Sequence, residues 1–148
     1  MELLIIFLGL LLDRLAKVWA LGSLKDNNGI ILIKDFFGLE YLENRGAAFG
    51  ILQNKTILLA LVTLLVISGM IYYIVKYKPK SKFLRISFAL IISGALGNLY
   101  DRLFYKYVVD FILLHYKDIY YFPTFNIADM LVVVGTLILA ISIVKDEV

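Results

Sequence analysis

Two carboxylates stand where the local sequence gives an acid little to do. Asp110 interrupts the apolar run Val108 Val109 Asp110 Phe111 Ile112, in which neither a helix nor a loop calls for a charge. Asp129 opens a long apolar stretch three residues after Asn126, and two readings of it stay open. As the partner of an Asn126 N-cap it would stabilise the positive end of a helix; as a functional acid it would take part in chemistry. Two acids held within a few ångströms cannot easily both ionise, so one keeps a proton. Such a pair can activate water while protonating a leaving group, which is hydrolysis without a metal. Other routes lack their parts. The chain has no cysteine and a single histidine, His115, which excludes thiolate nucleophiles and cysteine-held clusters and disfavours a histidine metal site. Ser93 is the only serine near the polar positions, and a serine–lysine dyad using Lys17 is the remaining nucleophilic alternative. No metal and no cofactor is expected.

Further polar residues sit inside apolar surroundings. Asp13 and Lys17 are i,i+4 neighbours able to pair on one helix face, and Asn98 and Arg102 share a stripe with Gly94, close to Asp101. Ionisable groups at the centre of a membrane helix cost about 2.5–3.5 kcal/mol each on insertion scales, so they face a cavity or a partner. The plain role for Asp13, Lys17, Asp101 and Arg102 is structural glue between helices, and Gly94, Ala95 and Gly97 read as scaffold that lets helices approach closely.

The elements that must position these groups follow from composition. Of 148 residues, 61% are hydrophobic and the mean hydropathy is +0.87, against about 45–50% apolar residues in soluble domains. Four apolar spans are expected: Leu3 to Leu21, Thr56 to Val75, Phe83 to Leu103 and Ala128 to Val144. The second is twenty residues without a charge, whereas the first admits Asp13, Arg14 and Lys17 in its second half. The segment Lys76 to Arg85 carries Lys76, Lys78, Lys80, Lys82 and Arg85 and no acid, which by the positive-inside rule predicts a cytoplasmic connection and cytoplasmic termini. The connections from Gly22 to Lys55 and from Phe104 to Ile127 then share the outer face, where all the polar positions converge. The mixture of β-branched, aromatic and polar residues from Gly29 to Leu42 predicts a small antiparallel sheet there. Glu2 in place of a basic n-region argues against a cleaved signal peptide. The expected architecture is an all-α integral membrane protein, with four transmembrane helices, a small β-rich subdomain outside the membrane, and residues 1–148 as one domain. The net charge of +3 points to no nucleic-acid partner, because in a membrane protein the placement of charge outweighs its sum.

Five blocks in order, Asp13 with Lys17, Asn44 Arg45 Gly46 Ala47 Ala48 Phe49 Gly50, Gly94 Ala95 Leu96 Gly97 Asn98 Leu99 Tyr100 Asp101 Arg102, Val108 Val109 Asp110 Phe111, and Phe125 Asn126 Ile127 Ala128 Asp129, resemble the motifs of bacterial lipoprotein signal peptidase, the type II signal peptidase. The resemblance covers nearly the whole chain. It implies an aspartic endopeptidase of the bacterial cytoplasmic membrane, with Asp110 and Asp129 as catalytic dyad and Asp13, Lys17, Asn44, Gly46, Asn98, Arg102 and Asn126 as substrate-binding or dyad-supporting residues. It also implies a diacylglyceryl-modified prolipoprotein as substrate, cut before the lipid-bearing cysteine, with membrane lipid around it and globomycin-like peptides as inhibitors. Two departures stand out: Lys106 replaces a glycine usual before the Val-x-Asp-Phe block, and Arg14 a frequent glutamine. The first bears on the turn into Asp110, because glycine takes positive φ freely and lysine only at a cost. A small ion-coupled carrier and a non-catalytic assembly protein are the alternatives from other functional classes.

Overall fold

The computed structural model describes residues 1–47 and 51–145; Ala48, Phe49 and Gly50 of the second motif lie outside them. Four helices carry the chain: α1 (Glu2–Ser23), α2 (Thr56–Tyr77), α3 (Lys82–Phe104) and α4 (Ile127–Val144). Each of the four expected spans is a helix. By length and composition α2, α3 and α4 are apolar enough to cross a membrane.

Helix α1 is built inside out. Gly9, Asp13, Lys17 and Ala20 recur at helical spacing and are its buried residues, while Leu4, Phe7, Leu8, Leu11, Leu15 and Val18 are exposed. A water-soluble helix buries its apolar stripe and exposes its charges; the reverse arrangement suits a helix whose outer face meets lipid and whose polar face meets partners.

Helix α3 is the central one, buried along most of its length and packed against the other three. Small residues permit the contacts. A Cβ at Gly94 would collide with the carbonyl oxygen of Ala128, and one at Gly97 would lie 2.5 Å from Asp13 Oδ2. Helices α1 and α4 therefore come within backbone reach of α3 at one level, the level of the polar motifs.

The sheet exceeds the sequence expectation. β1 (Ile30–Ile33) and β2 (Phe37–Asn44) fall in the stretch where strands were expected, but β3 (Val108–Tyr116) and β4 (Tyr120–Tyr121) come from the connection between α3 and α4. All neighbours are antiparallel in the order β1-β2-β3-β4, with Leu42 opposite Asp110 and Asn44 opposite Val108. Val109 and Phe111 of β3 pack with Ala20 and Leu24 at the end of α1 in one apolar cluster. The chain then returns to the same strand: Phe111 and Ile112 donate backbone N–H groups to the Phe125 carbonyl at 3.0 and 2.8 Å, and Phe125 N–H donates back to Ile112 at 3.1 Å. This staple fixes the start of α4 beside Asp110.

Candidate active site

Asp110 lies on β3 and is buried. Its Oδ1 accepts from the Asn126 side-chain amide at 2.6 Å and its Oδ2 from the Asn44 amide at 2.9 Å. Asp129, on the first turn of α4, accepts from Asn98 Nδ2 at 2.7 Å through Oδ1 and from the backbone N–H of Asn126 at 3.1 Å through Oδ2. Asn126 thus bonds both carboxylates at once, one from its side chain and one from its backbone. It also caps α4, accepting from Asp129 N–H at 2.9 Å. The capping role of Asp129 is real, and it places the carboxylate at the bridge to Asp110 rather than competing with that position.

Lys17 holds the amides in register. Its Nζ lies 3.0 Å from Asp13 Oδ2, 2.9 Å from Asp101 Oδ2 and 2.9 Å from Asn98 Oδ1. Asn98 Oδ1 also accepts from Asn126 Nδ2 at 3.2 Å, so the oxygen of that amide faces two donors and its nitrogen is turned to Asp129. Asp13 Oδ1 accepts from the Ala128 N–H at 2.9 Å, supplying one of the backbone partners that a helix N-terminus lacks. Asn44 Oδ1 accepts from Gly46 N–H at 2.9 Å, and the Gly46 carbonyl accepts from Arg102 at 3.2 Å. All nine residues singled out by sequence therefore belong to one hydrogen-bonded assembly, or to its immediate border.

Four acids meet here, and their partners divide them into two kinds. Asp13 and Asp101 are held against cations: Lys17 for both, and Arg14 at 2.6 Å for Asp101. Among the described residues, no cation stands within ion-pair distance of Asp110 or Asp129, whose hydrogen bonds come from neutral amides and backbone. A cation at ion-pair distance favours the charged form of a carboxylate, and a neutral amide donor does so without bringing an opposite charge beside it. Burial, with the nearby charge of Asp129 second, pushes Asp110 up to about 7.

Asp101 carries more than sequence reasoning gave it. Its Oδ2 accepts from the Val109 N–H at 3.2 Å, so it anchors the backbone one residue before Asp110. Arg14 completes this anchor, with its guanidinium 4.7 Å from the Tyr100 ring centroid. Only the packing of α1 on α3 reveals Asp101 as the shared partner of Arg14 and Lys17. Lys106, in the place where glycine is usual, has φ 68°, so the left-handed turn is kept despite the side chain. The serine alternatives fall away. Ser93 donates to the Ile6 carbonyl at 3.1 Å, Lys17 is ringed by two acids and an amide, and His115 stacks on Tyr121 in the β3–β4 hairpin.

A family model described as Signal peptidase (SPase) II matches residues 5–145. The chain belongs to the signal peptidase II family. Similar proteins include the lipoprotein signal peptidases of Clostridium novyi (strain NT), 64% identical over 146 residues with 99% of each chain covered, and of Clostridium acetobutylicum, 62% identical over 148 residues with 99% of this chain and 96% of that one covered. A bacterial membrane enzyme solved by the in meso method at 2.3 Å resolution has the same fold, with a TM-score of 0.89 at 30% identity over 98% of this chain and 88% of that chain. As a signal peptidase II the chain is a protease, and its helices are those of a membrane protein.

Proposed function

We propose that this protein is an aspartic endopeptidase of the bacterial cytoplasmic membrane that removes the signal peptide from diacylglyceryl-modified prolipoproteins, cutting before the lipid-bearing cysteine. The observation that carries the aspartic assignment is the division among the four acids: Asp110 and Asp129 are bridged through one asparagine and, among the described residues, have no cation within ion-pair distance, whereas Asp13 and Asp101 have Lys17 and Arg14.

In this reading a water between the two carboxylates attacks the scissile carbonyl carbon. Asp129, whose charge the N-terminus of α4 favours, takes a proton from that water. Asp110, holding the proton at rest, gives it to the carbonyl oxygen; the tetrahedral adduct then expels the amine, which leaves with the proton from Asp129, while one hydroxyl of the adduct returns its proton to Asp110 as the new carbonyl forms. These are roles within one shared system rather than fixed properties of either carboxylate. Asn44, Asn98 and Asn126 orient the carboxylates, Asp13 and Lys17 hold those amides and the start of α4, and Arg102 with Gly46 borders the substrate path.

Four membrane crossings follow if α1 is counted as a span, which its apolar outer face and buried charges support. The basic connection between α2 and α3 would then lie in the cytoplasm with both termini, and the site near the outer leaflet, where acyl chains of the substrate stay in lipid while the adjacent peptide bond reaches the acids. Globomycin-like peptides would inhibit by occupying the same site. A transport path finds no support: among the described residues, the buried polar side chains in the other half of the bundle are serines such as Ser87 and Ser142, whose hydroxyls donate to backbone carbonyls.

The test is incubation of the purified protein with matched lipidated and unlipidated prolipoproteins. Release of signal peptide from the lipidated form, with the unlipidated form cut poorly, is expected; equal rates would refute lipid docking, and no cleavage of either would refute the function.

A further inference from the structure

The end of the bundle opposite the acids carries a second concentration of charge that the peptidase reading leaves unused. Helix α2 stops at Lys78, whose φ of 45° turns the chain out of the helix while its N–H bonds the Ile74 carbonyl at 3.0 Å; Pro79 follows and cannot continue the helix. Ser81 then caps α3, which returns through Lys82 and Arg85. Between the two helices this tight turn leaves a cavity of about 210 Å³ lined by Ile74, Lys78, Pro79 and Arg85. Its walls are an aliphatic side chain and a proline ring, and its two polar residues are both cations.

The surrounding charges determine what suits the cavity. Glu2 takes one edge of Arg85, Nε to Oε1 at 2.8 Å, and is the acid in ion-pair contact with these cations among the described residues. Lys76 lies over Tyr72 and Tyr77, at 5.1 and 5.2 Å from their ring centroids, which keeps it at the rim. Among the described residues this end holds Lys76, Lys78, Lys80, Lys82, Arg85 and Lys145 against Glu2, six cations to one acid. Below the cavity, α2 and α3 continue as helices apolar enough to lie in hydrocarbon.

We infer that the cavity at the α2–α3 turn binds the headgroup of an anionic phospholipid of the surrounding bilayer, with Lys78 and Arg85 on the phosphate and Ile74 and Pro79 against the glycerol and first methylenes. A basic pocket between membrane helices is chemically suited to such headgroups, and the apolar half of the lining selects a lipid over a free anion. This rests on α2 and α3 lying in a membrane and not on the identity of the catalytic acids, so it survives or fails independently of the dyad.

The test is native mass spectrometry of the full chain released from detergent, titrated with phosphatidylglycerol or phosphatidylcholine. Wild type is expected to retain one phosphatidylglycerol at lower lipid concentration than phosphatidylcholine. Lys78→Gln should weaken that retention about fivefold, and Lys78→Gln/Arg85→Gln by roughly tenfold or more, in line with the worth of near-surface cations. Phosphatidylcholine binding should be unmoved. Lys55→Gln/Lys117→Gln removes equal charge at the sheet end and should leave retention as in wild type; far-UV circular dichroism checks that each variant is folded. Equal retention of the two lipids, or equal losses in the two double variants, would overturn the inference. Displacement of the lipid by glycerol phosphate at the same concentration would overturn the assignment to a lipid.

Discussion

Replacing Asp110 by asparagine should flatten the pH dependence of stability, and the size of the effect follows from its environment. In the folded protein burial and the charge of Asp129 raise this carboxyl to about 7, against 3.8 for the ordinary group. Between those values the folded state holds a proton that the unfolded chain has released, so the free energy of unfolding falls as pH rises through this window and is level on either side of it. Integrated from pH 5 to pH 8, the single group accounts for a loss of about 3 kcal/mol. Asparagine carries no charge at any pH and removes that slope. It also turns a donor toward Asn44 or Asn126, which costs about 1–3 kcal/mol at all pH values and so shifts the curve without tilting it. The assay is thermal unfolding in detergent micelles at half-unit pH steps for wild type, Asp110→Asn and Asp129→Asn. Wild type should lose stability from pH 5 to about 7 and level off by pH 8, Asp110→Asn should lose about 3 kcal/mol less over that range, and Asp129→Asn should fall between them because one of the two causes is gone. Parallel curves for wild type and Asp110→Asn would refute the reasoning.

Lys17→Met should destabilise the protein by about 3–5 kcal/mol, because Asp13 and Asp101 would stay buried without their shared cation; a variant unfolding within 1 kcal/mol of wild type, on a scale where surface changes fall within about 0.5, would count against the ion cluster. Gly97→Ala should cost activity and stability together, since the added methyl lies 2.5 Å from Asp13 Oδ2, the oxygen paired with Lys17, and must shift the carboxylate whose Oδ1 holds the Ala128 N–H; unchanged cleavage rates would contradict this. Lys106→Gly should be at least as stable as wild type and Lys106→Val less stable by about 1 kcal/mol or more, because φ 68° strains every residue with a Cβ and a β-branched one most; equal melting temperatures would remove the strain argument.

The sequence made the helices and the polar residues readable for different reasons. Long uncharged runs such as Thr56 to Val75 admit few structures other than a membrane-length helix, and Asp110 was conspicuous because nothing local explained it. Strand β3 was not foreseen, since Val108 to His115 is a mostly apolar run with one acid and lacks the alternation that marks a half-buried strand. That strand is what pairs Asp110 with Leu42 and brings the Phe125 staple to it, so the meeting of two acids nineteen residues apart depended on an element the pattern concealed. Asp101 was undervalued for a related reason: its partners Arg14, Lys17 and Val109 come from α1 and β3, and a single chain gives no measure of such long-range contacts. The pairing of Asp13 with Lys17 on one face of α1, by contrast, was legible from their i,i+4 spacing alone.

The central claim is that Asp110 and Asp129 together carry the chemistry while Asp13 and Asp101 serve as charged anchors. Its most direct measurement is cleavage of a diacylglyceryl-modified prolipoprotein by Asp110→Asn and Asp129→Asn, each verified as folded and membrane-inserted. Both should lose cleavage to the limit of detection; normal turnover by either would contradict the account.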